Sequence, residues 1–203
     1  ATNIAREIFQ ESSIDYLVRG EAENSMAQLL KLISDDELNK ASSIQGVYFR
    51  DSISNEETLK ISEYPDLDKL PTPCWHIFDM SRYTRVDNKR EIFGERGMRK
   101  SNSIMTSRGC PYHCTFCSSF SLHGRKMRYF GVDWTQKAVT ELYEKYGVTE
   151  FVTQDDLFTV HKERTIEMLT ELQKLPIPDI ALSVKNALSI NTLDEEVVEA
   201  LAA

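Results

Sequence analysis

The sequence predicts an α/β protein: a partial TIM-like (β/α) barrel preceded by the C-terminal piece of a Rossmann-like domain. Two observations carry this. From about residue 100 onward, apolar runs of strand length alternate three times with stretches of helical periodicity, and such a succession folds as a parallel sheet with right-handed crossovers. At the other end, a helix, a buried strand and a second helix follow one another within the first 33 residues, too little to bury its own faces as a separate domain.

In chain order, Ile4, Ile8 and Phe9 give a short helix one apolar face, with Thr2 or Asn3 as its cap. Ile14 to Val18 reads as a buried strand, stopped by Arg19 and Gly20. Asn24 to Ile33 returns to helical spacing, with Met26, Leu29, Leu30 and Ile33 at i, i+3, i+4 and i+7. Ser34 and Glu37 form a capping box that predicts a short helix from Asp35. Val47 to Arg50 and Leu59 to Ile61 read as a hairpin around DSISNEE. The proline-bearing EYPDLDKLPTPCW excludes regular structure and serves as a linker. Cys74 within it is expected to be a partly buried free thiol beside Trp75. The expected divisions are therefore 1–33, 34–100 and 101–203.

Ser103 to Thr106 begins the second half as a strand. Asp133 and Gln136 cap a helix whose face is Trp134, Ala138, Val139, Leu142 and Tyr146, stopped by Gly147. Glu150 to Gln154 is the next strand, and Lys162 to Lys174 the next helix, with Ile166, Leu169 and Leu172 inward. Pro176 and Pro178 end it. Asp179 to Val184 is the third strand and Asp194 to Leu201 the third helix. In a parallel sheet the loops after the strands share one end. The segment after the first strand, Asp155 and Asp156 after the second, and Lys185 and Asn186 after the third are expected to converge there.

The chain has 203 residues, 41% hydrophobic and 28% charged, an ordinary globular composition. Its net charge of -8 argues against a nucleic-acid surface. Most arginines nonetheless fall between Arg82 and Arg128, a local positive field suited to an anionic cofactor or substrate. Arg125, Lys126 and Arg128 are read as a solvated loop, and His76, His123 and His161 as surface or turn histidines, since no ligand spacing links them. Gly94 and Gly97 do not form a dinucleotide loop. No apolar run reaches the length of a membrane span, no signal peptide is recognisable, and the cysteine spacing is not that of a secreted disulfide framework. A reducing cytoplasm is expected.

The chemistry concentrates in IMTSRGCPYHCTFC, where Cys110, Cys114 and Cys117 form a C-x-x-x-C-x-x-C array within eight residues. Thiolates are soft ligands that suit iron-sulfur clusters, zinc or Cu(I), and Gly109 and Pro111 suit a tight loop between them. Three cysteines leave one iron of a four-iron cluster without a protein ligand. A zinc knuckle would instead complete Cys114-x-x-Cys117 with Cys110, His113 or Cys74.

Cys110, Pro111, Cys114, Phe116 and Cys117 together resemble the cluster motif of the radical S-adenosylmethionine (SAM) enzymes. The resemblance implies that the three cysteines hold three irons of a four-iron four-sulfur cluster, while the fourth iron chelates the amino and carboxylate groups of SAM. Phe116 would lie against the adenine. IDYLVRGEAENSMAQLLKLI resembles the last strand and helix of the cobalamin-binding domain that precedes many radical SAM barrels, with Ala22 where that family commonly has a glycine. EYPDLDKLPTPCW is similar to the family's connector. QDDLFT resembles the phrase ending the barrel's second strand, which implies Asp155 or Asp156 near the SAM amino group; the other reading makes them helix-entry caps.

By the same resemblance the chain is a portion of a cobalamin-dependent radical SAM protein. It implies residues 1–33 as the end of the cobalamin domain and 101–203 as the first three units of the radical SAM barrel. Reductive cleavage of SAM to methionine and a 5′-deoxyadenosyl radical is implied, used for methylation or rearrangement of an unactivated carbon, with cobalamin supplying the methyl group. A small-molecule substrate and an electron donor such as a flavodoxin or ferredoxin follow as partners; neither nucleic acid nor membrane does. The 203 residues alone are not expected to turn over substrate. The alternatives are a methylthiotransferase of the same superfamily, which would need three more cysteines, and a zinc-stabilised binding module.

Overall fold

The computed structural model describes residues 4–50, 59–86, 99–185 and 188–203. Thr2, Asn3, the DSISNEE turn, Gly94, Gly97 and Asn186 lie outside these residues. By internal contacts the chain divides into two compact units, one of residues 1–69 with 110–126 and one of 70–109 with 127–203.

The second unit follows the strand and helix succession. Strands β4 (Lys100–Ile104), β7 (Glu150–Thr153) and β8 (Ala181–Ser183) are parallel. The short edge strand β3 (Arg85–Val86) adds antiparallel to β4, giving the order β3-β4-β7-β8. Helices α4 (Val132–Tyr146), α5 (Lys162–Gln173) and α6 (Glu195–Ala202) follow the parallel strands in turn. Their buried faces hold because apolar residues recur at helical spacing: Val139 and Leu142 of α4 and Met168 and Leu172 of α5 close over Phe151 of β7, with Ile104, Val148 and Ile177.

Caps differ from the capping boxes read in the sequence. Gly131, not Asp133, precedes α4, and Asp133 sits inside its first turn, where an acidic side chain still favours the positive end of the helix dipole. Asp194 does cap α6, accepting the Val197 N–H at 3.0 Å. The inward face of α5 is Thr165, Met168, Leu169 and Leu172, with Ile166 only half-buried.

The first unit departs further from the sequence expectation. Helix α1 (Ala5–Glu11) begins after Ile4 without a side-chain cap. The expected hairpin is replaced by a long-range pair: β1 (Tyr16–Val18) is antiparallel to β2 (Val47–Phe49), Leu17 opposite Tyr48. Residues 59–62 form no strand; side-chain and backbone bonds hold them. The Gln45 side-chain amide donates to the Ile61 carbonyl at 2.9 Å, the Tyr48 hydroxyl to the Lys60 carbonyl at 3.0 Å, and the Ser62 N–H to the Arg19 carbonyl at 2.7 Å.

Ser34 starts no helix. It is the last residue of α2 (Glu23–Ser34), after which a 3-10 turn runs over Leu38–Ser43. The face of α2 is rotated from the expected one: Ser25 and Leu29 are buried, while Met26, Leu30 and Ile33 are exposed. Leu29 packs with Ala41, Ile44 and Val47, so the contact with the following turn, not the apolar count, selects the face. Cys74, expected to be partly buried, is exposed.

Candidate functional site: the cysteine loop and the carboxylate at its stem

In the second unit, β5 (Ser107–Arg108) pairs antiparallel with β6 (Arg128–Tyr129), Ser107 opposite Tyr129 and Arg108 opposite Arg128. The chain leaves this two-rung stem through Gly109 and returns to it at Met127, so the cysteine loop is the excursion between the two strands.

Behind the stem lies a polar node built on Thr106 and Asp155, which are fully buried and 4% exposed respectively. The Asp155 carboxylate accepts the Thr106 N–H at 2.7 Å, the Thr106 hydroxyl at 2.6 Å and the Ser107 hydroxyl at 2.6 Å. The Thr106 carbonyl accepts from the Phe130 N–H at 3.0 Å and from Arg164 Nη2 at 2.8 Å. A buried carboxylate is tolerable only with donors and compensating charge. Here three donors and the Arg164 field supply both. Burial pushes the Arg164 guanidinium's pKa down, opposed by the Asp155 carboxylate. Its face is covered by the rings of Tyr129 at 5.1 Å and Phe158 at 5.4 Å, a cation–π contact that offsets its poor solvation. Burial also raises the Tyr129 phenol above its ordinary pKa.

Strand alternation at the end of β7 thus sends Asp155 inward onto Thr106 and Ser107. Asp156, half-buried, accepts the Gly109 N–H at 3.2 Å. Thr106, read as the last residue of a strand, lies beyond the end of β4, and neither it nor Ser107 had a further sequence signal, because their role depends on a residue 48 or 49 positions away. Lys185 follows β8, as expected.

In the first unit, the loop itself carries Cys110 and Cys117 half-buried and Cys114 exposed, all as free thiols. A turn closes the C-x-x-C part, where the Cys117 N–H reaches the Cys114 carbonyl at 3.2 Å. Phe116 is 91% exposed. The short helix α3 (Phe120–His123) follows. Among the described residues no three His, Cys, Asp or Glu side chains converge as they would around a single metal ion. One zinc ion would hold its thiolates at bonds of about 2.3 Å to one centre, whereas thiolates ligating separate irons of a cluster stand further apart. The donor set, three accessible soft thiols on one short loop, fits the latter chemistry.

No protein-family model matches the chain. It is 29% identical over 194 residues to an uncharacterized methyltransferase of Pyrococcus horikoshii, covering 93% of this chain and 38% of that protein. It is 28% identical over 184 residues to the anaerobic magnesium-protoporphyrin IX monomethyl ester cyclase of Cereibacter sphaeroides, covering 88% and 28%. The fold matches the cobalamin-dependent SAM radical enzyme OxsB, solved with aqua-cobalamin, with a TM-score of 0.68 at 20% identity, over 98% of this chain and 27% of that one. In fold the chain is similar to the cobalamin-dependent radical SAM enzymes. The radical SAM methyltransferase TsrM of Kitasatospora setae, solved with cobalamin and a [4Fe-4S] cluster, matches with a TM-score of 0.66 at 18% identity, over 99% and 38%. The chain therefore spans well under half the length of these relatives.

Proposed function

We propose that this chain is part of a cobalamin-dependent radical SAM enzyme that methylates or rearranges an unactivated carbon of a small molecule. The observation that carries the reading is the C-x-x-x-C-x-x-C loop of three free thiols, set after the first strand of a parallel sheet. The likeness to methyltransferases and to a cyclase supports it. In this reading the parallel strands are the first three units of a partial TIM-like barrel and residues 1–33 end a cobalamin-binding domain.

When bound, the reduced cluster supplies the electron that cleaves SAM. The chain's own residues hold and shield. Cys110, Cys114 and Cys117 ligate, as thiolates. Phe116 offers a flat apolar face to the adenine. Of the two carboxylates assigned to the SAM amino group by resemblance, Asp155 has its oxygens taken up by Thr106 and Ser107, which favours Asp156. An electron donor such as a flavodoxin or ferredoxin and a cytoplasmic setting belong to the same proposal, since the thiols and the cluster require reducing surroundings.

Anaerobic reconstitution with iron and sulfide tests it. The expected result is a brown protein with about four irons and four sulfides, lost when Cys110, Cys114 and Cys117 are changed to Ala and kept in Cys74→Ala. Zinc uptake without sulfide, or cluster loss in Cys74→Ala alone, would overturn the assignment. In a cluster-loaded longer protein, Asp156→Asn should weaken SAM binding about tenfold.

A further inference from the structure

Three consecutive residues from the last of α3 onward tie the cysteine loop down, each by a different bond. His123 Nδ1 lies 2.8 Å from Glu21 Oε1. The Gly124 carbonyl accepts the Cys110 N–H at 3.3 Å. Arg125 Nη1 donates to the Tyr112 carbonyl at 2.7 Å, and its guanidinium lies 4.2 Å from the centre of the Phe120 ring. The segment therefore clasps the backbone of the first cysteine and of the residue two places after it. The far anchor of the clasp is Glu21, in the turn between β1 and α2.

The Glu21–His123 pair is not a surface ion pair. Its side chains are 2% and 15% exposed, so a carboxylate has been withdrawn from water and set against an imidazole 102 positions away in sequence. Such a group is costly to bury without its partners, and exposed pairs of this kind hold nothing firmly. A second constraint acts at the next residue. Gly124 has a φ of +74°, and a Cβ there would come within 2.8 Å of the Tyr64 hydroxyl oxygen. The loop's return arm is thus seated on the turn at residue 21 and on Tyr64, both of the first unit.

We infer that Glu21 and His123 are positioning residues for the cysteine loop, fixing through Gly124 and Arg125 the backbone that presents Cys110. This rests on the cluster assignment above, and goes beyond it by making the ligand loop depend on the turn after β1. Both act through the backbone of residues 110–112.

The test compares wild type, Glu21→Gln, His123→Gln and Leu29→Ala, the last a packing defect in the same unit away from the loop. Hydrogen exchange in the cluster-free protein is read at the amides of residues 110–117. Glu21→Gln is expected to speed it about tenfold there with little change in α2, whereas Leu29→Ala should do the reverse. His123→Gln, which keeps a donor for Glu21, should restore most of the protection. In reconstituted protein, Glu21→Gln should lose iron to a chelator about fivefold faster and shift the cluster's midpoint potential. Exchange and iron loss within twofold of wild type in Glu21→Gln would overturn the inference. If Glu21→Gln does not fold, His123→Ala is read in its place, and protection unchanged at 110–117 in that variant overturns it equally. A wild-type chain that takes up no cluster, but whose loop still loosens in Glu21→Gln, would sink the cluster assignment and leave the positioning role standing.

Discussion

The two units are held together by different physics. The unit of the parallel strands is organised around side chains removed from water, with Val139, Leu142, Val148 and Met168 fully buried and Phe151 1% exposed. The N-terminal unit has smaller apolar clusters, Ala5, Phe9, Leu17 and Tyr48 in one and Leu29, Ala41, Ile44 and Val47 in another. Bonds over longer sequence distances accompany these clusters: Ser25 to Gln45, Gln45 to Ile61, Tyr48 to Lys60 and Glu21 to His123. An apolar face is non-directional and tolerates small errors of register. A directed hydrogen bond does not, so the second kind of unit is fixed by a few particular atoms.

Five measurements sharpen that contrast. Phe151→Ala should have the largest effect, about 3 to 5 kcal/mol, because it opens a cavity between β7 and the helices above it; denaturant unfolding reads it. In the N-terminal unit the corresponding blow is geometric. Gly46 has a φ of +82°, and a Cβ there would stand 2.4 Å from the Ser62 backbone nitrogen. Gly46→Ala should therefore cost about 2 to 4 kcal/mol, from strain and displaced backbone together.

Asp155→Ala tests the polar node behind the β5–β6 stem. Leaving the buried Thr106 N–H unpaired should cost roughly 2 to 3 kcal/mol and loosen the β5–β6 stem, seen as faster exchange of the Phe130 amide. Gly147→Ala is the control for Gly46. It also has a positive φ, +67°, but nothing lies within 4 Å of the added carbon, so about 1 kcal/mol is expected. A cost as large as that of Gly46→Ala would show that backbone strain alone, not the approach of Ser62, dominates both.

The smallest effect is electrostatic and lies on the exposed edge of the sheet unit. Lys162 bonds Asp194 and Glu196, which lowers the Asp194 pKa from its ordinary 3.8, chiefly through the Lys162 hydrogen bond and then the Val197 N–H. A depressed carboxylate pKa contributes stability that is complete above the unfolded value and is lost as the pH falls through the folded one. Asp194→Asn should thus lower the unfolding midpoint slightly and evenly above about pH 4, with the difference from wild type vanishing as the pH falls below it. A large loss at neutral pH would contradict this reading.

The sequence by itself determined the parallel strand-helix order, the stop at Gly147 and the three-thiol loop. Each depends on residues a few positions apart, and local periodicity and spacing are what a sequence displays. The face of α2 was misjudged because Met26, Leu30 and Ile33 satisfy the helical pattern as well as Leu29 does; only the turn at 38–43, folding back onto Leu29, chooses between them. The hairpin failed for the same kind of reason, since Val47 to Phe49 found a better partner in β1 than in its neighbour. Tertiary structure alone decided that Asp155 turns inward to Thr106 and that His123, read as a surface or turn histidine, is half-buried against Glu21. A carboxylate's partners are set by which donors the fold brings within about 3 Å, and no spacing along the chain encodes a donor 49 or 102 residues away.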